Sequence, residues 1–282
     1  MKSSESLSGV GETALGAAMM RARESLRPDR LFDDPYAEEF VAAAPEAFAD
    51  GPTHSGDGEL AALEAAFSSA VVVRTRFYDD YLLAACAAGC RQVVLLAAGL
   101  DTRAFRLNWP AGVRLFELDL PEVLAFKERV LARRRAAPRC ARTALPVDLR
   151  EDWPAQLTDA GFEPSGRTVW LMEGLLTYLS NDDAVRLLTT VGELSSAGSQ
   201  LSFDRDSIAD DSLLARARTL PTMNQVTSLW KGGLSENAPD WLRRQGWQVQ
   251  TDDHATLAAT YGRPAPDGCT GGFLTGVRLS RR

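Results

Sequence analysis

Gln92-Val93-Val94-Leu95-Leu96-Ala97-Ala98-Gly99-Leu100-Asp101-Thr102-Arg103 is the stretch on which the fold turns. It opens as a short, continuous apolar run, the pattern of a strand buried on both faces, and runs straight into a glycine loop. Similar runs follow at residues 113–118, 144–147, 168–172, 200–203, 247–251 and 272–279. Helical patterns separate several of them, notably residues 121–135 and 182–194. Strand and helix alternating at these intervals predict parallel βαβ units in an α/β fold. The last two runs lie close together with little helix between them, which predicts an antiparallel edge. Before the first run the chain reads as helix at 12–24 and 59–88, broken by turns at Arg27-Pro28-Asp29 and Asp33-Asp34-Pro35-Tyr36 and by a polar loop at 52–58. Residues 206–240 carry scattered apolar positions, Pro221 and Gly232-Gly233, and read as a helical insertion over the sheet.

Composition sets the class. The chain has 282 residues, 45% hydrophobic and 24% charged, which excludes a disordered, collagenous or disulfide-stapled protein. Its net charge of −7 offers no electrostatic footprint for nucleic acid. The apolar runs are far shorter than the roughly 20 residues that a helical bilayer crossing needs. Cys86, Cys90, Cys140 and Cys269 form no dense framework, and Cys86 and Cys90, four apart in a helical pattern, read as small packing residues. With only His54 and His254 beside them, no metal site is expected, and the expected compartment is the reducing cytoplasm.

Ligands of open α/β sheets sit at the carboxyl ends of the strands, so the residues there carry the chemistry. An acid closes each of the later strands: Asp119 in Glu117-Leu118-Asp119, Asp148 in Asp148-Leu149, and Glu173 in Glu173-Gly174. A dinucleotide loop wants Gly-x-Gly-x-x-Gly so that backbone can approach a pyrophosphate. Here Gly99 stands alone, and Asp101 would repel the phosphates. A phosphate-free cofactor with a positive centre suffers no such penalty, and S-adenosylmethionine is one. Asp119 lies 20 residues past Gly99, the interval at which an acid accepts from ribose hydroxyls, although it could equally cap the helix that opens at Pro121. Asp148 is placed for the adenine amino group or, alternatively, for a turn with Arg150. Glu173 directly follows an apolar strand, where a carboxylate is costly without a partner, and a ligand cation would be one.

In order along the chain, Val94 to Arg103, Glu117-Leu118-Asp119-Leu120-Pro121 with Lys127, Asp148-Leu149, and Glu173-Gly174-Leu175-Leu176-Thr177-Tyr178-Leu179 together resemble the leucine carboxyl methyltransferase-like family of S-adenosylmethionine-dependent enzymes. Residues 13–15 and 27–37 are similar to its bacterial branch. The resemblance spans the chain from about residue 12 to the C-terminus and is weakest over 206–240. It implies a Rossmann-like class I methyltransferase sheet, mostly parallel and seven-stranded, in one methyltransferase domain. The expected parts are a helical cap (1–88), a cofactor-binding core (89–205), a helical lid (206–240) and C-terminal strands (241–282).

By the same resemblance Arg74 clamps the methionine carboxylate, for which a guanidinium fork is suited. Ala97, Gly99 and Asp101 form the cofactor loop, Asp119 and Leu120 take the ribose, Asp148 and Leu149 the adenine, and Glu173 the methionine portion. Tyr178, with Glu173, is the candidate catalytic group facing the acceptor, and Arg30, Asp33 and Tyr36 help close the site. One departure stands out: the family more often has glycine where this chain has Ala97, and alanine resists positive φ.

A carboxylate acceptor is ionised at neutral pH and needs no general base, whereas a phenol or amine usually does. With two histidines, neither in a matched motif and both expected to face solvent, the reading is O-methylation of a carboxylate on a small metabolite or a peptide C-terminus. Leu229, Met223, Trp230 and Trp241 are candidate walls of the acceptor pocket. A hydroxyl of an aromatic metabolite as acceptor, or a cofactor-binding regulatory protein without turnover, are the alternatives. Neither a nucleic acid nor a membrane is expected as a partner, and the oligomeric state is left open.

Overall fold

The computed structural model describes residues 7, 9–48, 58–205, 227–263, 265–266 and 271–280. Seven strands form one sheet: β1 (Gln92–Leu96), β2 (Arg114–Asp119), β3 (Ala141–Pro146), β4 (Thr168–Met172), β5 (Gln200–Arg205), β6 (Trp247–Asp253) and β7 (Gly272–Arg278). Their order is β3-β2-β1-β4-β5-β7-β6. Neighbouring pairs from β3 to β5 are parallel, and β7 runs antiparallel to both β5 and β6. The antiparallel expectation for the last two runs holds, and β7 enters between β5 and β6.

β1 and β4 lie at the centre and are buried at every position. Alternate side chains therefore feed two cores. Val93 and Leu95 join Leu15, Phe40, Val73 and Leu82 on one face, while Val94 and Leu96 join Phe116, Trp170, Leu187 and Trp241 on the other. Each such side chain contributes about 1.5–3 kcal/mol on leaving water, so the continuous apolar run both selects the strand and anchors it.

The helices are α1 (Val10–Ser25), α2 (Ala37–Ala42), α3 (Gly58–Ala87), α4 (Arg103–Arg106), α5 (Pro121–Arg133), α6 (Trp153–Asp159), α7 (Asn181–Glu193), α8 (Ala238–Arg244) and α9 (His254–Thr260). Their starts are written in local chemistry. Pro121 opens α5, Ser180 accepts from the Asp183 amide at the start of α7, and Asp253 accepts from the Thr256 amide at the start of α9.

The expected insertion divides. Residues 206–226, Met223 among them, lie outside the described residues. From residue 228 to 237 the chain is irregular rather than helical, and it is held by the amides of Lys231 and Gly232 donating to the Thr177 carbonyl and that of Gly233 to Leu179. Trp241, expected as a pocket wall, is instead buried in the core with Trp247 and Leu187, because α8 packs against the sheet. No helix among the described residues is long and apolar enough to cross a membrane.

Candidate active site

The carboxyl ends of β1, β2, β4 and β5 converge on a small set of charged groups. Beyond β1 the chain reverses through Ala97 (φ 57) and Gly99 (φ 50), both left-handed. Asp119, at the end of β2, clasps that turn: its carboxylate accepts from the Gly99 amide at 2.5 Å and from the Leu120 amide at 2.7 Å. Burial dominates its titration and raises it above the usual aspartate value despite those two donors. Ala97 adopts the conformation that glycine would take, so the loop keeps its shape at the cost of about 1–2 kcal/mol of backbone strain.

Asp101 does not stand as a bare charge. It accepts from the Arg103 amide at 2.7 Å and pairs with the Arg103 guanidinium. Burial opposes its ionisation, and the charges of Arg103 and Lys127 overcome that, so its carboxyl stays below the ordinary range. The expected repulsion of phosphate is thus offset by Arg103. Phosphate is disfavoured instead because the Gly99 and Arg103 amides that would cradle it are already spent on Asp119 and Asp101.

Glu173 was expected to need a ligand cation, and the fold supplies two of its own. Its Oε1 lies 3.0 Å from Nε of Arg74 and its Oε2 2.7 Å from Nη1 of Arg103. Burial pushes against its charge, but the two guanidinium groups prevail and hold the carboxyl below the usual glutamate range. The chain of charges continues from Arg103 to Asp79 at 2.7 Å, from Asp79 to Arg106 at 2.6 Å, and from Arg74 to Asp204 at 3.5 Å. Asp204 also accepts from the Gly174 amide at 2.6 Å. Gly174 needs its φ of 64 for the turn after β4, and a Cβ there would meet Nη1 of Arg74 at 3.4 Å.

Other expected residues sit further from this centre. Asp148 closes β3 at the rim and pairs with Arg150 at 2.5 Å, so the turn reading describes its present state. Leu120 and Leu149 are half-buried against the two cores. Tyr178 is half-buried in the single 3-10 turn Leu176–Tyr178 that follows Glu173. Arg30 and Asp33 are exposed, whereas Tyr36 packs edge-on against Phe105 at 5.8 Å. Leu229 and Trp230 are half-buried in the irregular segment.

His54 lies outside the described residues, and His254 is buried, not solvent-facing, because α9 packs its first turn against α3. Burial lowers its pKa against the opposing pull of the Ser69 backbone and the Asp253 charge. Cys86 and Cys90 are buried and free, with thiols pushed up by burial to about 12 and about 11. No metal-binding group of His, Cys, Asp or Glu occurs among the described residues.

Sequence reasoning missed five members of the centre. Asp79, Arg103, Arg106 and Asp204 complete the charge chain, and Arg21 donates to the Leu100 carbonyl at 2.7 Å while pairing with Asp34, which ties α1 to the cofactor loop. Asp204 had a signal, since it is one more acid at a strand end, one residue past the run at 200–203.

Sheet order and an acid-lined edge with one clasped glycine turn define the class, a Rossmann-like S-adenosylmethionine-dependent methyltransferase. A family model described as leucine carboxyl methyltransferase matches residues 14–192. A Frankia alni protein named "Putative S-adenosyl-L-methionine-dependent methyltransferase" is 55% identical over 96% of this chain and 95% of its own. One from Saccharopolyspora erythraea, similarly named, is 44% identical over 96% of each. Among solved structures, a DUF574 family protein from Streptomyces avermitilis aligns with a TM-score of 0.59 at 15% identity, covering 93% of this chain and 97% of that one, and so shares the fold. The chain belongs to the leucine carboxyl methyltransferase family.

Proposed function

We propose that the protein methylates a carboxylate oxygen of a small metabolite or a peptide C-terminus. The observation that carries this reading is that among the described residues no free base stands at the ligand edge. Asp101, Glu173 and Asp204 are tied to guanidinium groups, Asp119 to backbone amides, and His254 is sealed in the core. A hydroxyl or amine acceptor would want a base there. An ionised carboxylate does not, and the description of the matching family supports the same acceptor class.

The charged edge fits the cofactor chemically. Asp119 would accept from the ribose hydroxyls with lone pairs that the two amides leave over, and Gly99 would allow close approach of the nucleoside. Arg74 uses Nε on Glu173 and Nη1 on Asp204, which leaves Nη2 to receive the amino-acid carboxylate. Glu173, already ionised, would face the cofactor's cationic end, and Asp148 with Leu149 would border the adenine. When bound, S-adenosylmethionine supplies an electrophilic methyl group: an oxygen–carbon bond forms as the carbon–sulfur bond breaks, the carboxylate and sulfonium charges cancel, and no proton moves. The protein's task is alignment and exclusion of water, with Tyr178 on the acceptor side.

The test is incubation with methyl-labelled cofactor and a panel of organic acids. Base-labile incorporation is expected. Base-stable product would point to ether or amine chemistry and overturn the reading.

A further inference from the structure

Most arginines at the ligand edge are already paired with carboxylates: Arg74 and Arg103 with Glu173, Arg106 with Asp79, Arg21 with Asp34 and Arg150 with Asp148. Arg205 is different. It is half-buried, its Nε is shielded from solvent without a hydrogen-bond partner, and among the described residues no carboxylate pairs with it. An N–H left so loses its hydration without recovering it in protein contacts.

Its place is fixed by strand register. Met172, the last residue of β4, stands opposite Phe203 of β5, and the Gly174 amide donates to Asp204, so Arg205 follows at the level where the turn that carries Tyr178 begins. Strand alternation puts Arg205 on the sheet face opposite Asp204, the face on which Phe203 packs with Leu175, Leu176 and Leu179. Asp204, turned towards Arg74, is therefore not available to neutralise it.

Two more donors border the same turn. The Tyr178 hydroxyl has no partner among the described residues. The Trp230 indole N–H is shielded and has none, and the next residue, Lys231, donates its amide to the Thr177 carbonyl. Two of these groups, the Arg205 Nε–H and the Trp230 indole N–H, are pure donors shielded without an acceptor, and a carboxylate, which only accepts, suits them.

We infer that Arg205, at the end of β5 beside the turn that carries Tyr178 and holds the segment of Trp230, is the binding site for the acceptor's carboxylate. This rests on the carboxyl reading above. One carboxylate oxygen pairs with the guanidinium, which leaves the second with its lone pair free to attack. Methylation then removes the charge that Arg205 recognises, so the ester binds more weakly than the acid and leaves.

The test uses the full chain saturated with S-adenosylhomocysteine and titrated by calorimetry with sodium benzoate and sodium octanoate, then with their methyl esters. The wild type is expected to bind at least one acid tenfold or more tightly than its ester. Arg205→Met should lose that preference and Arg205→Lys retain part of it, both with unchanged melting temperature and S-adenosylhomocysteine affinity. Acid affinity in Arg205→Met within twofold of the wild type, equal affinity for acid and ester, or no acid binding at all would each overturn the assignment. Base-labile methylation by Arg205→Met at an unchanged acceptor KM would sink the role of Arg205 and leave carboxyl methylation standing. Base-stable product would sink the carboxyl reading itself.

Discussion

At Ala97 the backbone pays for a shape that the side chain opposes. A left-handed alanine costs about 1–2 kcal/mol, and glycine would remove that while losing about 0.5–1 kcal/mol through its freer unfolded chain. Ala97→Gly should therefore stabilise the protein by up to about 1 kcal/mol, a rise in melting temperature of roughly 2 °C for a chain of this size. S-adenosylhomocysteine affinity should not fall. Thermal melts with and without this ligand check both, and a lower melting temperature would show that the methyl group packs usefully enough to outweigh the strain. Arg103 illustrates the opposite case, a residue whose worth lies wholly in its partners. It meets Asp79, Asp101 and Glu173 at once and lies over the Tyr78 ring at 5.9 Å. Arg103 stood in the motif that decided the fold, but nothing in its neighbours along the chain named these partners.

Between elements, a second buried cluster locks β2 to α5 and β3. Glu117 of β2 and Lys127 of α5, both fully buried, pair at 2.6 Å, and Arg142 of β3 reaches the same carboxylate at 2.7 Å. Glu117→Gln would strand the Lys127 ammonium in the core, which typically costs about 3–5 kcal/mol. Denaturant unfolding should register a loss of that order, and joint replacement of Glu117 and Lys127 by uncharged residues should cost less than the sum of the two single changes. Additive losses would mean that the pair does not act as a unit. The motif Glu117 to Pro121 with Lys127 is thus explained by position: Asp119 faces the ligand edge while Glu117, two residues earlier on the same strand face, is held by α5. Elements differed in legibility for physical reasons. Central strands announce themselves by continuous apolar runs. α6 and α9 have seven residues each, too few turns for a clear helical period, and went unread.

Over the whole molecule, α3 meets the edges of β1, β4 and β5 through the charge chain from Arg106 to Asp204, and a ligand seated there contacts elements far apart in sequence. Binding should accordingly stabilise the fold as a unit. S-adenosylhomocysteine at a hundred times its dissociation constant should add about 2.7 kcal/mol, seen as a clear rise in melting temperature. NAD at the same concentration should leave the melt unchanged, because the Gly99 and Arg103 amides are occupied and Asp119 already fills the turn. An equal shift with NAD would contradict this account of the cofactor loop.

Alternation of apolar runs with helical periods was enough to determine the seven strands and the longer helices in chain order. So were the acids Asp119, Asp148 and Glu173, because burial periodicity is a local property and a strand end is a place along the chain. What the tertiary structure alone decided is who neutralises whom. Arg74 reaches Glu173 across 99 residues and Arg103 reaches it across 70, while β7 slips between β5 and β6 and His254 is drawn into the core. Hydrophobic patterning tells each segment which face to bury. Ion pairing and hydrogen bonding act over a few ångströms between side chains that only the packed elements bring together.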